Sequence, residues 1–150
     1  MKKLLGVFVL MSFMASCKES SHVTVYGDMM CFLSEESGVG YVSSVTNLTT
    51  EASTRLDLYV SRTPFAADEY PKQSVRILVE EETTADRSAD FKLEGSELTF
   101  QNRNELKVPF RIVIRSSASG KKIVLRLEYG YADVCNPEYR QADRLVIHIK

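Results

Sequence analysis

The stretch "GYADVCNPEYRQ", residues 130–141, gathers side chains suited to holding a small polar ligand. Tyr129, Tyr131 and Tyr139 flank it, with Asp133, Arg140 and Gln141 nearby. A tyrosine ring has an apolar face and a polar tip, which suits a half-wet surface where a sugar could stack. The chain has seven tyrosines and no tryptophan, so tyrosine must supply any aromatic platform. The competing reading is that these rings pack the rim of the fold. Strand aromatics usually serve packing, and Tyr129 continues the apolar alternation of the residues before it.

Catalysis lacks its parts. No Gly-x-Ser-x-Gly elbow, His-Glu-x-x-His pair or phosphate-cradling glycine loop occurs. His22 and His148 are the two histidines, and nothing in the sequence supplies His148 with a nucleophile and an orienting acid. Glu35-Glu36 and Glu80 to Glu82 are adjacent acids, but neighbours in an extended segment point to opposite faces, which disfavours a glycosidase-type pair. The expectation is a chain that is not an enzyme and needs no cofactor.

Of three cysteines, Cys17 follows the apolar start of the chain, while Cys31 and Cys135 lie 104 positions apart. Outside a reducing compartment the latter two can oxidise, closing a loop that contributes about 4–5 kcal/mol in the chain-entropy model. Two separate thiols, with Cys31 buried in "MMCFL", is the alternative. Only His22 and His148 could join them, so the spacing does not suit zinc.

The elements that would position these residues are strands. "TRLDLYVSR" sets Leu56, Leu58 and Val60 against Asp57 and Tyr59. "SVRILVEE" places Val75, Ile77 and Val79 on one face, and "LKVPFRIVIRS" does so with Val108, Phe110, Ile112 and Ile114. "KKIVLRLEYGY" and "RLVIHIK" repeat the pattern, the first through Ile123, Leu125, Leu127 and Tyr129, the second through Leu145, Ile147 and Ile149. A period of two marks half-buried strands. Shorter strands are expected at "HVTVY", "MMCFL", "GYVSSVT", "DFKLEG" and "ELTFQN", with turns at Tyr26-Gly27-Asp28, Glu94-Gly95-Ser96, Ser119-Gly120-Lys121 and Asn136-Pro137. "TTEASTR" could form one helical turn, and no longer helix is expected. Pro109, unable to donate to a ladder, marks a strand edge or a bulge. About eight to ten short strands predict an all-β, antiparallel, immunoglobulin-like sandwich.

The first residues carry an address. Lys2 and Lys3 precede an apolar run, Leu4 to Ala15, then the small residues Ala15 and Ser16 and then Cys17. That order is a secretory signal, and the run is too short to span a bilayer. A buried N-terminal helix is the alternative. Met14-Ala15-Ser16-Cys17 resembles a bacterial lipobox, which implies that Cys17 becomes a lipidated mature N-terminus. Two or more acyl chains suffice for stable anchoring. Lys18-Glu19-Ser20 resembles the short export signal of Bacteroides-type surface lipoproteins; an ordinary polar tether facing the periplasm is the other reading. The expected plan is a signal peptide over 1–16, a lipidated tether over 17–22 and one sandwich domain over 23–150. Without residues 1–16 the chain keeps 17 basic and 20 acidic side chains, a net of −3, and has no basic stripe for nucleic acid. Asn47-Leu48-Thr49 matches a glycosylation sequon, which a bacterial route would leave unused.

Residues 83–100, "TTADRSADFKLEGSELTF", resemble the middle of Calx-β-like immunoglobulin-type domains through Thr84-Ala85, Asp90-Phe91, Gly95, Leu98 and Phe100. By strand pattern the resemblance extends over about residues 54–150. It implies the sandwich fold and raises calcium, with Glu80, Glu81, Glu82, Asp86 and Asp90 as the acidic candidates for a cation that wants six to eight oxygens. The chain departs from calcium-binding members at "RSSASGKK", where Arg115, Lys121 and Lys122 stand in place of further acids. The sequence therefore predicts a non-catalytic binding or accessory module on an outer membrane, facing the cell surface and serving glycan acquisition. The alternatives are an assembly lipoprotein that contacts another outer-membrane protein, and a calcium-binding sandwich.

Overall fold

The computed structural model describes residues 30–38, 40–130 and 142–150. Among the described residues nine strands run β1 (Met30–Leu33), β2 (Asn47–Thr50), β3 (Arg55–Arg62), β4 (Gln73–Val79), β5 (Phe91–Glu94), β6 (Glu97–Phe100), β7 (Lys107–Ile114), β8 (Lys122–Tyr129) and β9 (Arg144–Ile149). They form two sheets, ordered β1-β3-β7-β5 and β2-β9-β8-β4-β6. The protein is a β-sandwich. Every pairing is antiparallel except β2 with β9, which is parallel.

The alternation seen in the sequence sets the core. Leu58, Val60, Val75, Ile77, Phe110, Ile112, Ile123, Leu125, Leu127, Leu145 and Ile147 are all buried and pack as one cluster. Each such side chain taken from water contributes about 1.5–3 kcal/mol. Phe32 and Phe110 meet edge to face, centroids 5.8 Å apart.

Three local expectations fail. "GYVSSVT" is not a strand: Gly40–Ser43 form a 3-10 turn, Ser44 makes one bridge to Leu33, and β2 begins only at Asn47. "TTEASTR" is not a helical turn, because Thr49 and Thr50 finish β2 in register with His148 and Ile149. A six-residue helix, α1 (Pro64–Glu69), was not expected. Thr63 caps it, its hydroxyl accepting from the Ala66 N–H at 3.1 Å, and Pro64 opens it with a pre-set φ. "HVTVY", and the turns at Tyr26-Gly27-Asp28 and Asn136-Pro137, lie outside the described residues.

Pro109 sits in β7, an inner strand, paired with Tyr59. In this ladder the Arg62 N–H donates to Leu106 O and the Ile114 N–H to Thr54 O, so even-numbered β7 residues bond β3 and odd-numbered ones face β5. β5 reaches only to Glu94, opposite Arg111. At Pro109 the strand is thus locally an edge, and the missing N–H leaves no gap in a ladder.

The two flanks of the sandwich differ. On one, the Phe32 N–H donates to Ala142 O (3.2 Å) and Phe32 O accepts from the Val45 N–H (2.9 Å), while the Val146 N–H donates to Thr46 O (2.9 Å). These bonds tie β1 of one sheet to β9 of the other. On the opposite flank the terminal strands β5 and β6 are edges among the described residues, and the corner at Gly95 and Ser96 joins them. Gly95 has φ +83° there, a conformation that suits glycine.

Candidate functional site

Tyr129 ends β8 with its ring turned inward, 5% exposed and packed in the core. It is a packing residue, the second of the two readings its alternation allowed. Tyr131, Asp133, Tyr139, Arg140 and Gln141 lie outside the described residues, as do Cys17 and Cys135. The segment returns at a firm base. Asp143 is fully buried, its backbone O accepts from the Leu127 N–H (2.9 Å), and its carboxylate meets Arg126 at 3.3 Å. Cys31 on β1 is 2% exposed among Leu33, Ala142 and Tyr59.

Beside Gly130 the outer face of the larger sheet dips into a groove of about 400 Å³. Its floor is a row of short side chains, since Thr99 on β6 pairs with Ser74 on β4 and Gly130 continues β8 past the Tyr129–Val75 pair. The Ser74 and Thr99 hydroxyls are 3.2 Å apart. The next row is longer and charged. Arg76 stands in register with Glu97 on β6 and Glu128 on β8, at 3.5 and 3.1 Å. A second hollow lies on the other sheet, where Tyr59 and Pro109 meet Lys107, whose Nζ donates to the carbonyls of Glu36 and Gly38.

The acidic candidates are divided between two structural networks. Glu80 accepts from Arg126 (2.6 Å) and Arg144 (2.8 Å), and Arg144 also holds Glu82. Partial burial opposes the charge on Glu80, yet the two arginines outweigh it and hold its carboxyl below the usual range. Asp86 folds back on its own loop, accepting from the N–H groups of Ser88 (2.8 Å) and Ala89 (2.7 Å) and from the Ser88 hydroxyl (2.6 Å), bonds that lower its pKa. Asp90, 1% exposed, accepts from Lys121 Nζ and the Asp86 N–H, both at 2.6 Å, and is lowered from 3.8 to about 2. Glu81 is exposed. Among the described residues no group of three or more His, Cys, Asp and Glu is gathered to hold a metal. Lys121, one of the cations that depart from the calcium-binding pattern, closes this loop onto the sandwich. His148 is exposed, in register with Lys122 and Thr49.

Arg62 was missed by the sequence reading. It is 2% exposed, and its guanidinium donates to four backbone carbonyls: Tyr70 (2.7 Å), Pro71 (3.1 Å), Asn102 (2.7 Å) and Glu105 (3.0 Å). The planar fork thus ties the turn after α1 to the loop between β6 and β7. The only available signal was a charge at an inward position of an alternating strand.

No family model matches the chain, and no curated protein matches it. Similar solved structures include a chain of a type I cohesin–dockerin complex from Clostridium thermocellum, with TM-score 0.40, 8% identity, and coverage of 82% of this chain and 100% of that one. Another is a chain of a complex between a third cohesin and a dockerin from Acetivibrio cellulolyticus, with TM-score 0.34, 10% identity, and coverage of 69% of this chain and 95% of that one.

Proposed function

We propose that this chain is a non-catalytic binding module, held to an outer membrane by lipidated Cys17 and presented at the cell surface, where it engages a protein partner. The observation that carries the binding role is the groove over Thr99, Ser74 and Gly130, bordered by Glu97, Arg76 and Glu128 and lying beside β6, the last of the described strands in its sheet. The buried and half-buried ions, by contrast, hold loops: Arg62, Asp90 with Lys121, and Glu80 with two arginines. The lipobox-like Met14-Ala15-Ser16-Cys17 supports the anchor.

A test joins both parts. Cells expressing the full chain are labelled with radioactive palmitate, and the protein is recovered from detergent extracts with its companions. The expected result is label in the native chain and none in Cys17→Ala, with a stoichiometric partner retained through washing. An unlabelled native chain would remove the anchor, and a chain recovered alone would remove the partner.

A second reading, glycan binding, is favoured by the hydroxyl pair Ser74–Thr99 beside the charged row. Binding on a polysaccharide array that weakens in Tyr131→Ala or Tyr139→Ala supports it. Calcium binding is the third reading, tested by a rise in melting temperature on adding the ion.

A further inference from the structure

We infer that the groove is one half of a docking site for an extended, basic peptide segment of a partner, which adds as a further strand to β6; this rests on the binding-module reading above. The backbone supplies the other half. The Ile77 N–H donates to Ser96 O (2.7 Å), so Ser96, Leu98 and Phe100 bond β4 while Glu97 and Thr99 turn their N–H and C=O groups to the outside. β6 is the last strand of its sheet, and among the described residues none pairs with that side. The next backbone N–H, that of Gln101, is already closed by the Glu105 carboxylate at 2.6 Å. The available ladder is therefore short and defined, running from Glu97 to Thr99.

An incoming strand would place the residues opposite Glu97 and Thr99 on the outer face of the sheet. A long side chain opposite Thr99 reaches over the low floor of Thr99, Ser74 and Gly130. Among the described residues a Cβ built on Gly130 would meet nothing within 4 Å, so no described side chain closes the far wall. The side chain opposite Glu97 faces a row with two carboxylates and one guanidinium, in which Arg76 is shared between Glu97 and Glu128. Glu97 is 77% exposed at its side chain and sits on the edge itself. A lysine or arginine there gains a partner, whereas an acid meets Glu97 directly. Main-chain bonds give the affinity and alternate side chains the selectivity, as in other strand-addition complexes.

The experiment uses the full lipidated chain in detergent with two capped peptides, one alternating lysine and threonine and one alternating glutamate and threonine. Affinity is read by fluorescence anisotropy and the contact by amide hydrogen exchange. The lysine peptide is expected to bind tighter and to slow exchange at Glu97 and Thr99. Glu97→Lys should weaken it by about threefold or more. Thr99→Pro, which removes an outward N–H and no bond to β4, should weaken it about tenfold. An unchanged melting curve shows that each variant is folded. Equal affinity for the two peptides, or protection elsewhere than β6, overturns the docking site while leaving the binding module standing. Protection of Glu97 and Thr99 without peptide, growing with protein concentration, overturns it in favour of pairing between two copies of this chain.

Discussion

The Arg62 guanidinium carbon lies 4.4 Å from the centroid of the Phe100 ring, so a buried cation is sandwiched between an aromatic face and a cage of backbone carbonyls. A cation in that place is unfavourable unless its donors are filled, and here both the fork and the ring meet it. Arg62→Met would take one donor from each of four carbonyls, of which Asn102 O still accepts from the Glu105 N–H. At about 1–3 kcal/mol for each buried group left unsatisfied, a loss of roughly 3 kcal/mol or more is expected in urea unfolding. Arg62→Lys should recover only part, because an ammonium cannot span the two loops. A lysine variant as stable as the native chain would show that charge alone suffices.

Asp90 gives the fold an acid dependence. Its folded pKa, about 2, is below the ordinary 3.8 because Lys121 and the Asp86 N–H bond its carboxylate. The unfolded chain therefore takes up the proton first as pH falls. The stabilisation is complete above about pH 4 and disappears as pH drops towards 2. Urea midpoints of the native chain and Asp90→Asn should differ at pH 7 and converge below pH 3. A constant gap over that range would mean that the charge is irrelevant.

Proline should be tolerated at one odd-numbered β7 position and not at another. Pro109→Val is expected to change stability by about 0.5 kcal/mol or less, since no ladder bond is gained. Val113→Pro faces the same way, but Lys92 lies opposite, and a lost bond there should cost about 1–3 kcal/mol. Equal effects at the two sites would contradict the derived bonding parity.

Gly95→Ala tests the corner between the sheets. With φ at +83° and a new Cβ 3.3 Å from Leu98 Cδ2, about 1–2 kcal/mol should be lost. Gly120, also at positive φ but with nothing within 4 Å among the described residues, isolates the backbone part of that cost when changed to alanine.

The long strands were legible because one face of each is dry. Leu56 to Val60, Val108 to Ile114 and Ile123 to Tyr129 display the period of two that burial on one side demands, and His148 faces outward as its place between Ile147 and Ile149 requires. Short elements escaped for physical reasons. "GYVSSVT" has strand-forming residues, yet bonds to β1 and β9 hold only Ser44 to Thr46, so propensity lost to tertiary context. Helix α1 is too short for a stripe, although Thr63-Pro64 carried its start signal. The groove could not be read at all, because Ser74, Thr99 and Gly130 come from three strands that are neighbours only in the sheet. Pro109 was readable halfway: the sequence demanded a strand with one vacant side, and only the length of β5 explains how an inner strand provides it.

The stitched flank and the loose one also fix a polarity. Met30, where the described chain enters, begins β1 on the stitched side, while β5 lies three strand spacings away, about 14 Å. Under the lipid anchor proposed above, tension from the N-terminal side would load the seam made by Phe32, Ala142 and Val45, and would leave the β5–β6 margin slack. A molecule moored in that proposed way would turn its unlaced margin outward, to whatever drifts past.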